Sequence, residues 1–447
     1  MRGGRPPLAD FLFGSRRGYC QHFAGSMAVM LRSLGIPARV AVGYTGGRFD
    51  AKADAWVVTD RDAHSWVEVW LAGRGGQGGA AAAAYDGADG DVAGRGRARG
   101  DEDLATAEGI AQAALASSRE ALVDTFVDAA TDGFLDFGHG LIFVAQAEGL
   151  TAHLGAAVPG GERPHEAPIW TSLARNLVYA TREHTLPPMR QFVKSVEARG
   201  PLSFAHARED AAFDAERFFA QVVDGDLASA LDAVDGVVTE GVAPTRVALA
   251  LGLAAGERLL RFDPAHELDF DVSEGWLHVT HALTYAEATF QLLQRRPSET
   301  LLRALRYGAR FVQHMGPLDG PPAADVEDVD LTGHDIGSAL DARDVSAVRQ
   351  LARDLPLDEL RAALERDMLS DRLTRQIFVA HHIKTGAAAL RLAEAAESDR
   401  DLAPWARRPL EATLRWLCHP MKERRIARNA RIASRFVREG VRTRDLC

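Results

Sequence analysis

Arg17-Gly18-Tyr19-Cys20-Gln21-His22-Phe23-Ala24, Leu34-Gly35-Ile36-Pro37-Ala38-Arg39-Val40 and Ala63-His64-Ser65-Trp66-Val67-Glu68-Val69 decide how the N-terminal part of this chain is read. Phe23, Met27, Met30, Leu31 and Leu34 recur at three- and four-residue steps, which predicts a helix over 20–34 opened by Cys20. Segments 38–45, 55–60 and 64–71 alternate and are rich in Val, Trp and Tyr, which predicts strands, with His64 heading the last. A cysteine at a helix start and a histidine 44 positions later suit a thiol nucleophile and its base. The thiolate, not the thiol, attacks carbonyl carbon, and both a nearby imidazole and the positive end of a helix favour it. His22, two positions after Cys20 on the same helix, points elsewhere.

These words resemble the transglutaminase-like superfamily, in the form of its bacterial, TgpA-type core, over residues 7–71. Asp10-Phe11-Leu12-Phe13 through Gly18-Tyr19-Cys20 leads into the nucleophile helix, and Gly35-Ile36-Pro37-Ala38-Arg39 feeds the first strand. The resemblance implies an α+β, papain-like core with Cys20 as nucleophile and His64 as general base. It also implies acyl transfer or amide hydrolysis on a protein or peptide bearing glutamine or other amide groups. Members of the superfamily continue into a Gly-Trp strand and an Asp-Pro-Thr word whose aspartate orients the histidine. Here Gly73-Arg74-Gly75-Gly76-Gln77-Gly78-Gly79 and five alanines stand instead, so Asp86 in Tyr85-Asp86-Gly87 is the nearest candidate for a third catalytic residue. With 19 residues ahead of Cys20, the expectation is a truncated core of weak activity.

At 447 residues, 47% hydrophobic and 26% charged, the chain is ordinary globular material long enough for two or three domains. Its three cysteines, Cys20, Cys418 and Cys447, cannot build a disulfide framework, which points to a reducing compartment or to a chain that does not rely on bridges. Met1 to Pro7 lacks the apolar run of a signal peptide, and no uncharged apolar stretch reaches about 18 residues. The expectation is a cytoplasmic chain with no membrane partner. The net charge of -10 is uneven: from Arg407 onward 12 Lys or Arg face 4 Asp or Glu. Arg424, Arg425, Arg428, Arg431, Arg435 and Arg438 have helical spacing but no aromatic platform. They read as a face meeting solvent or acidic protein, and no nucleic-acid partner is expected.

Residues 72–103, dominated by Gly, Ala, Arg and Asp, read as a linker. From Leu104 the 3.6-residue period persists, broken mainly at words such as Pro159-Gly160-Gly161 and Leu186-Pro187-Pro188, which predicts about twelve helices. No fixed repeat supports a solenoid. The expected class is thus an α+β, transglutaminase-like segment over 1–71, a linker over 72–103, an all-α domain over 104–400 and basic C-terminal helices over 401–447.

Histidines carry what chemistry the helical half offers. His139 sits between two glycines in Phe137-Gly138-His139-Gly140, His278 and His281 form an i, i+3 pair, and His381-His382 stands in Val379–Lys384. A helical His pair can chelate a transition metal, with Asp136, Glu274, Glu287, Asp367 or Asp371 completing the shell. His139, His278 and His281 are the candidate ligands; no other cofactor is expected. Interior histidines bonded to carbonyls are the plainer alternative, and the doubled Glu-x-x-His signature of di-iron bundles is missing. Asp136–Ile142, Leu177–Arg182 and His278–Thr284 more loosely resemble the helical region accompanying actinobacterial Rieske-type ferredoxin domains. With three cysteines in all and no pair of Cys-x-His and Cys-x-x-His words, the chain cannot hold a Rieske cluster. Two alternatives compete with thiol chemistry: a His-lined helical domain with a metal-dependent or oxidoreductase role, or a helical scaffold without catalysis.

Overall fold

The computed structural model describes residues 24–25, 29, 38–44, 48–50, 55–57, 63–69, 104–131, 134, 136–157, 166–180, 187–269, 272, 274–320, 331, 335–368, 376–419 and 421. The chain divides into two compact units, Met1–Ala84 and Tyr85–Cys447.

In the first unit the backbone forms β1 Ala38–Tyr44, β2 Arg48–Asp50, β3 Ala55–Val57 and β4 Ala63–Val69. β1 pairs antiparallel with β4, Ala38 opposite Val69 and Tyr44 opposite Ala63, and β2 pairs with β3, Arg48 opposite Val57. Val40, Val42, Val67 and Val69 supply the β-branched residues that suit a pleated backbone. The expected α+β class is corrected by this arrangement. Among the described residues the strands make two separate two-stranded ribbons, whereas α+β layering needs a sheet wide enough to carry helices. Helix dominates everything else described. Alternation in sequence reports local strand propensity and is silent on how many strands join. Of the helix expected over 20–34, Ala24, Gly25 and Val29 are helical and the rest lies outside the described residues, as do 72–103.

The second unit is built from helices. α1 Leu104–Ser117, α2 Arg119–Thr131, α3 His139–Ala157, α4 Glu166–Tyr179 and α5 Pro187–Ala198 come first. α6 Ala215–Phe219 runs into a π-helical turn at Ala220–Asp224, followed by α7 Leu227–Thr239, α8 Pro244–Arg261 and α9 Pro264–Leu268. α10 Trp276–Arg295, α11 Glu299–His314, α12 Ile336–Ala342 and α13 Val345–Asp354 follow, and α14 Leu357–Met368, α15 Gln376–Glu397 and α16 Arg408–Leu417 complete the set. Local chemistry sets several starts: Asp226 accepts from the Ser229 amide at 2.8 Å, Ser298 from Leu301 at 3.2 Å and Asp344 from Ala347 at 3.0 Å. Pro244 and Pro264 open α8 and α9, where a missing N–H costs nothing.

α8 is the centre of the core. Every residue from Arg246 to Gly256 is buried, the mark of a helix surrounded by others. It packs against α10, α11 and α16, while α10 in turn packs against α3, α11 and α15. At Gly256 a Cβ would lie 2.8 Å from the backbone nitrogen of Pro409, so α16 approaches α8 as closely as glycine permits. Arg258, 2% exposed, is tolerated inside because its guanidinium donates to the Val312 carbonyl at 3.0 Å, to the Val223 carbonyl and to Asp319. Among the described residues no helix is long and apolar enough to cross a membrane.

Candidate functional site

Cys20 and Asp86 lie outside the described residues. The backbone of His64 is the second residue of β4, opposite Gly43 of β1. In the helical unit three histidines, His139, His281 and His381, are brought together around α10.

The chain enters α3 through a turn at Asp136–Gly138 in which Phe137 (φ 56°) and Gly138 (φ 81°) are both left-handed. Glycine suits the second of these positions for its φ and for space, because a Cβ there would overlap the Tyr285 ring of α10. His139, the first residue of α3, is thereby set against α10. On α10, His281 is 5% exposed. Its Nδ1 lies against the Leu277 carbonyl, and its Nε2 is 2.8 Å from Nε2 of His139 and 3.2 Å from Nε2 of His381 on α15. The three rings meet edge to face, with His281 4.4 Å from His139 and 4.9 Å from His381 between centroids. One nitrogen from each lies within 4.8 Å of the others. Phe143 stacks on His139 at 5.1 Å, and Lys384, one turn beyond His381, brings Nζ to 3.5 Å from Nε2 of His139. Burial pushes the His281 pKa well below the usual imidazole value, and Lys384 and the neighbouring imidazoles act in the same direction. His281 is therefore neutral near pH 7.

Of the expected ligands, His139 and His281 meet, and His278 does not join them. Its Nδ1 accepts the Gly275 amide at 3.1 Å and so caps the start of α10. The third ring is His381. The apolar period of α15 carries the signal that selects it from the His381-His382 pair: His381, Thr385, Ala388, Ala389 and Leu392 fall on the buried stripe. His382 is turned off it, edge-on to Trp416 at 4.7 Å.

The expected carboxylates are not in the group, which among the described residues holds imidazoles alone. Glu287, 1% exposed, accepts from Arg391 at 2.5 Å and from Gln291. Glu274 acts on His314, and Asp367 on Cys418. The side chain of Asp136 and all of Asp371 lie outside the described residues.

Residues 2–77 match the model of the transglutaminase-like superfamily. A protein-glutamine gamma-glutamyltransferase of Pseudomonas aeruginosa is 49% identical over 67 residues, 15% of this chain and 10% of that protein. An uncharacterised protein of Bacillus subtilis is 45% identical over 70 residues, again 15% and 10%, and an uncharacterised protein of Mycobacterium leprae is 39% identical over 57, 13% and 20%. The match thus covers about a tenth of the length of the first two relatives. No solved structure matches the chain. Residues 2–77 carry a transglutaminase-like segment.

Proposed function

We propose that the transglutaminase-like segment performs acyl transfer or hydrolysis at carboxamides, with Cys20 as nucleophile and His64 as general base. The observation that supports it is a family match whose span, 2–77, includes both residues. The Cys20 thiolate adds to the carbonyl carbon of a glutamine-type side chain. The tetrahedral intermediate collapses to a thioester as ammonia departs with a proton from the His64 imidazolium. An amine or water then attacks the thioester, gives a proton to His64 and restores the thiolate. Asp86, beyond the matched residues, is the candidate to hold His64 in the correct tautomer. The substrate class is a protein or peptide presenting glutamine, by analogy with the activity in the name of the Pseudomonas relative.

Cys418 provides an internal reference for the test. It is 4% exposed, and burial pushes its thiol up to about 12. With iodoacetamide at pH 6, Cys20 should alkylate at least about 10-fold faster than Cys418 in the native chain. His64→Asn should slow labelling of Cys20 toward that of an ordinary thiol, and Cys20→Ala should abolish amine incorporation into a glutamine-bearing protein. Cys20 reacting at pH 6 no faster than a free thiol of pKa about 8.5, with or without His64, would sink the proposal.

A further inference from the structure

The three converging imidazoles pose a problem of proton counting. A neutral imidazole has one N–H and one lone pair. On His281 the proton must sit on Nδ1, because the Leu277 carbonyl that faces it can only accept. Nε2 of His281 is then a bare lone pair, approached by Nε2 of His139 at 2.8 Å and Nε2 of His381 at 3.2 Å. One lone pair takes one well-aligned proton. If a single neighbour donates, the other sets its own lone pair against that of His281; if both donate, they compete for one acceptor. A donating His139 would also turn an N–H, not a lone pair, toward the Lys384 ammonium 3.5 Å away. Hydrogen bonds alone leave this group frustrated. A cation shared by three lone pairs does not.

Two of the three nitrogen separations suit such an ion, and the third pair, His139 and His381, lies within 4.8 Å. Imidazole nitrogens about 2.1 Å from a metal lie about 3.4 Å apart in tetrahedral geometry and about 3.0 Å apart in octahedral geometry. The two short separations, 2.8 and 3.2 Å, sit close to this range.

We propose that His139, His281 and His381 bind one divalent transition-metal ion, zinc first among them, through their Nε2 atoms. Imidazole is a borderline ligand suited to zinc, cobalt, nickel and copper, and a set that among the described residues is all imidazole disfavours magnesium and calcium. Three protein ligands leave a coordination position for water or a small anion, the arrangement of open zinc sites. The Leu277 carbonyl is the outer partner that fixes the tautomer and ring orientation of His281. Lys384, on a flexible four-carbon stem, turns its ammonium away from the ion or toward an anion bound at the open position. Because α3, α10 and α15 each give one ligand, the ion also ties three helices together.

The test uses the full chain carrying Cys20→Ser and no histidine tag, so that neither the N-terminal thiol nor a tag supplies ligands. Metal-free protein is titrated with cobalt(II), read by visible absorption, and with zinc in competition against a chromophoric chelator. One ion per chain is expected, with melting raised by zinc and lowered again by EDTA. His281→Ala and His381→Gln should each weaken zinc by at least about 100-fold. His278→Gln should stay within about threefold, because that ring holds the Gly275 amide. Where His281→Ala fails to fold by circular dichroism, His139→Gln at the half-buried start of α3 takes its place. Folded metal-free protein that takes up neither ion at micromolar concentration would overturn the site. So would an equal loss in His278→Gln and His139→Gln.

Discussion

Gly138→Ala perturbs both the fold and the histidine group. Two costs can be worked from the structure. At φ 81° an L side chain crowds its own backbone, which costs about 1–2 kcal/mol. The new Cβ would also overlap the Tyr285 ring, which is 4% exposed and edge-on to Phe134 at 5.5 Å and to Phe311 at 6.2 Å. A ring so enclosed cannot swing aside, and overpacking of this kind costs about 1–3 kcal/mol. The sum, about 2–5 kcal/mol, should appear as a lower urea midpoint at unchanged m by far-UV circular dichroism. In a Tyr285→Leu background the overlap is relieved, so the same substitution should cost only the backbone share, about 1–2 kcal/mol. Because His139 follows directly, the single variant should also weaken zinc. A Gly138→Ala protein within about 0.5 kcal/mol of the parent, or an equal cost in both backgrounds, would refute the reasoning.

Glu411, 1% exposed, accepts from Arg349 at 2.8 Å and Arg353 at 2.5 Å, and Arg349 is itself buried. Glu411→Ala should therefore cost about 3–5 kcal/mol in urea unfolding, with Glu411→Gln costing less because an acceptor remains; a loss below about 1 kcal/mol would contradict this. Acid should expose the Arg246 cluster, in which the guanidinium lies 2.7 Å from Asp399 and 2.9 Å from Asp401. For Asp399 burial opposes ionisation, but Arg246 and the Asp401 amide outweigh it and lower the pKa. Asp401 is lowered by Arg400 and then by Arg246. Depressed folded-state values mean that this stability is full above about pH 4 and is lost as pH falls through the folded-state values below it. Unfolding measured from pH 6 to pH 2 should show that decline, and Arg246→Met a shallower one. Identical pH slopes would rule the cluster out as the cause.

The words around Cys20 and His64 could be read because each is contiguous in sequence, and the family match over 2–77 spans them. The helices from Leu104 onward were legible because burial of one face imposes a 3.6-residue period. The phase of α15, written in Thr385, Ala388 and Leu392, likewise fixes which of His381 and His382 turns inward. The number of strands in a sheet has no such local record, since pairing joins distant segments, and the α+β class fails on that point. Nor does an i, i+3 spacing say what each ring will meet. His278 and His281 share one helix, yet one caps its backbone at Gly275 and the other meets α3 and α15. Phase within a helix is a property of its own residues. How the helices sit against one another is set by close approaches such as Gly138, in the turn before α3, on Tyr285 of α10 and Gly252 of α8 on Leu392 of α15, which exist only once the helices have packed.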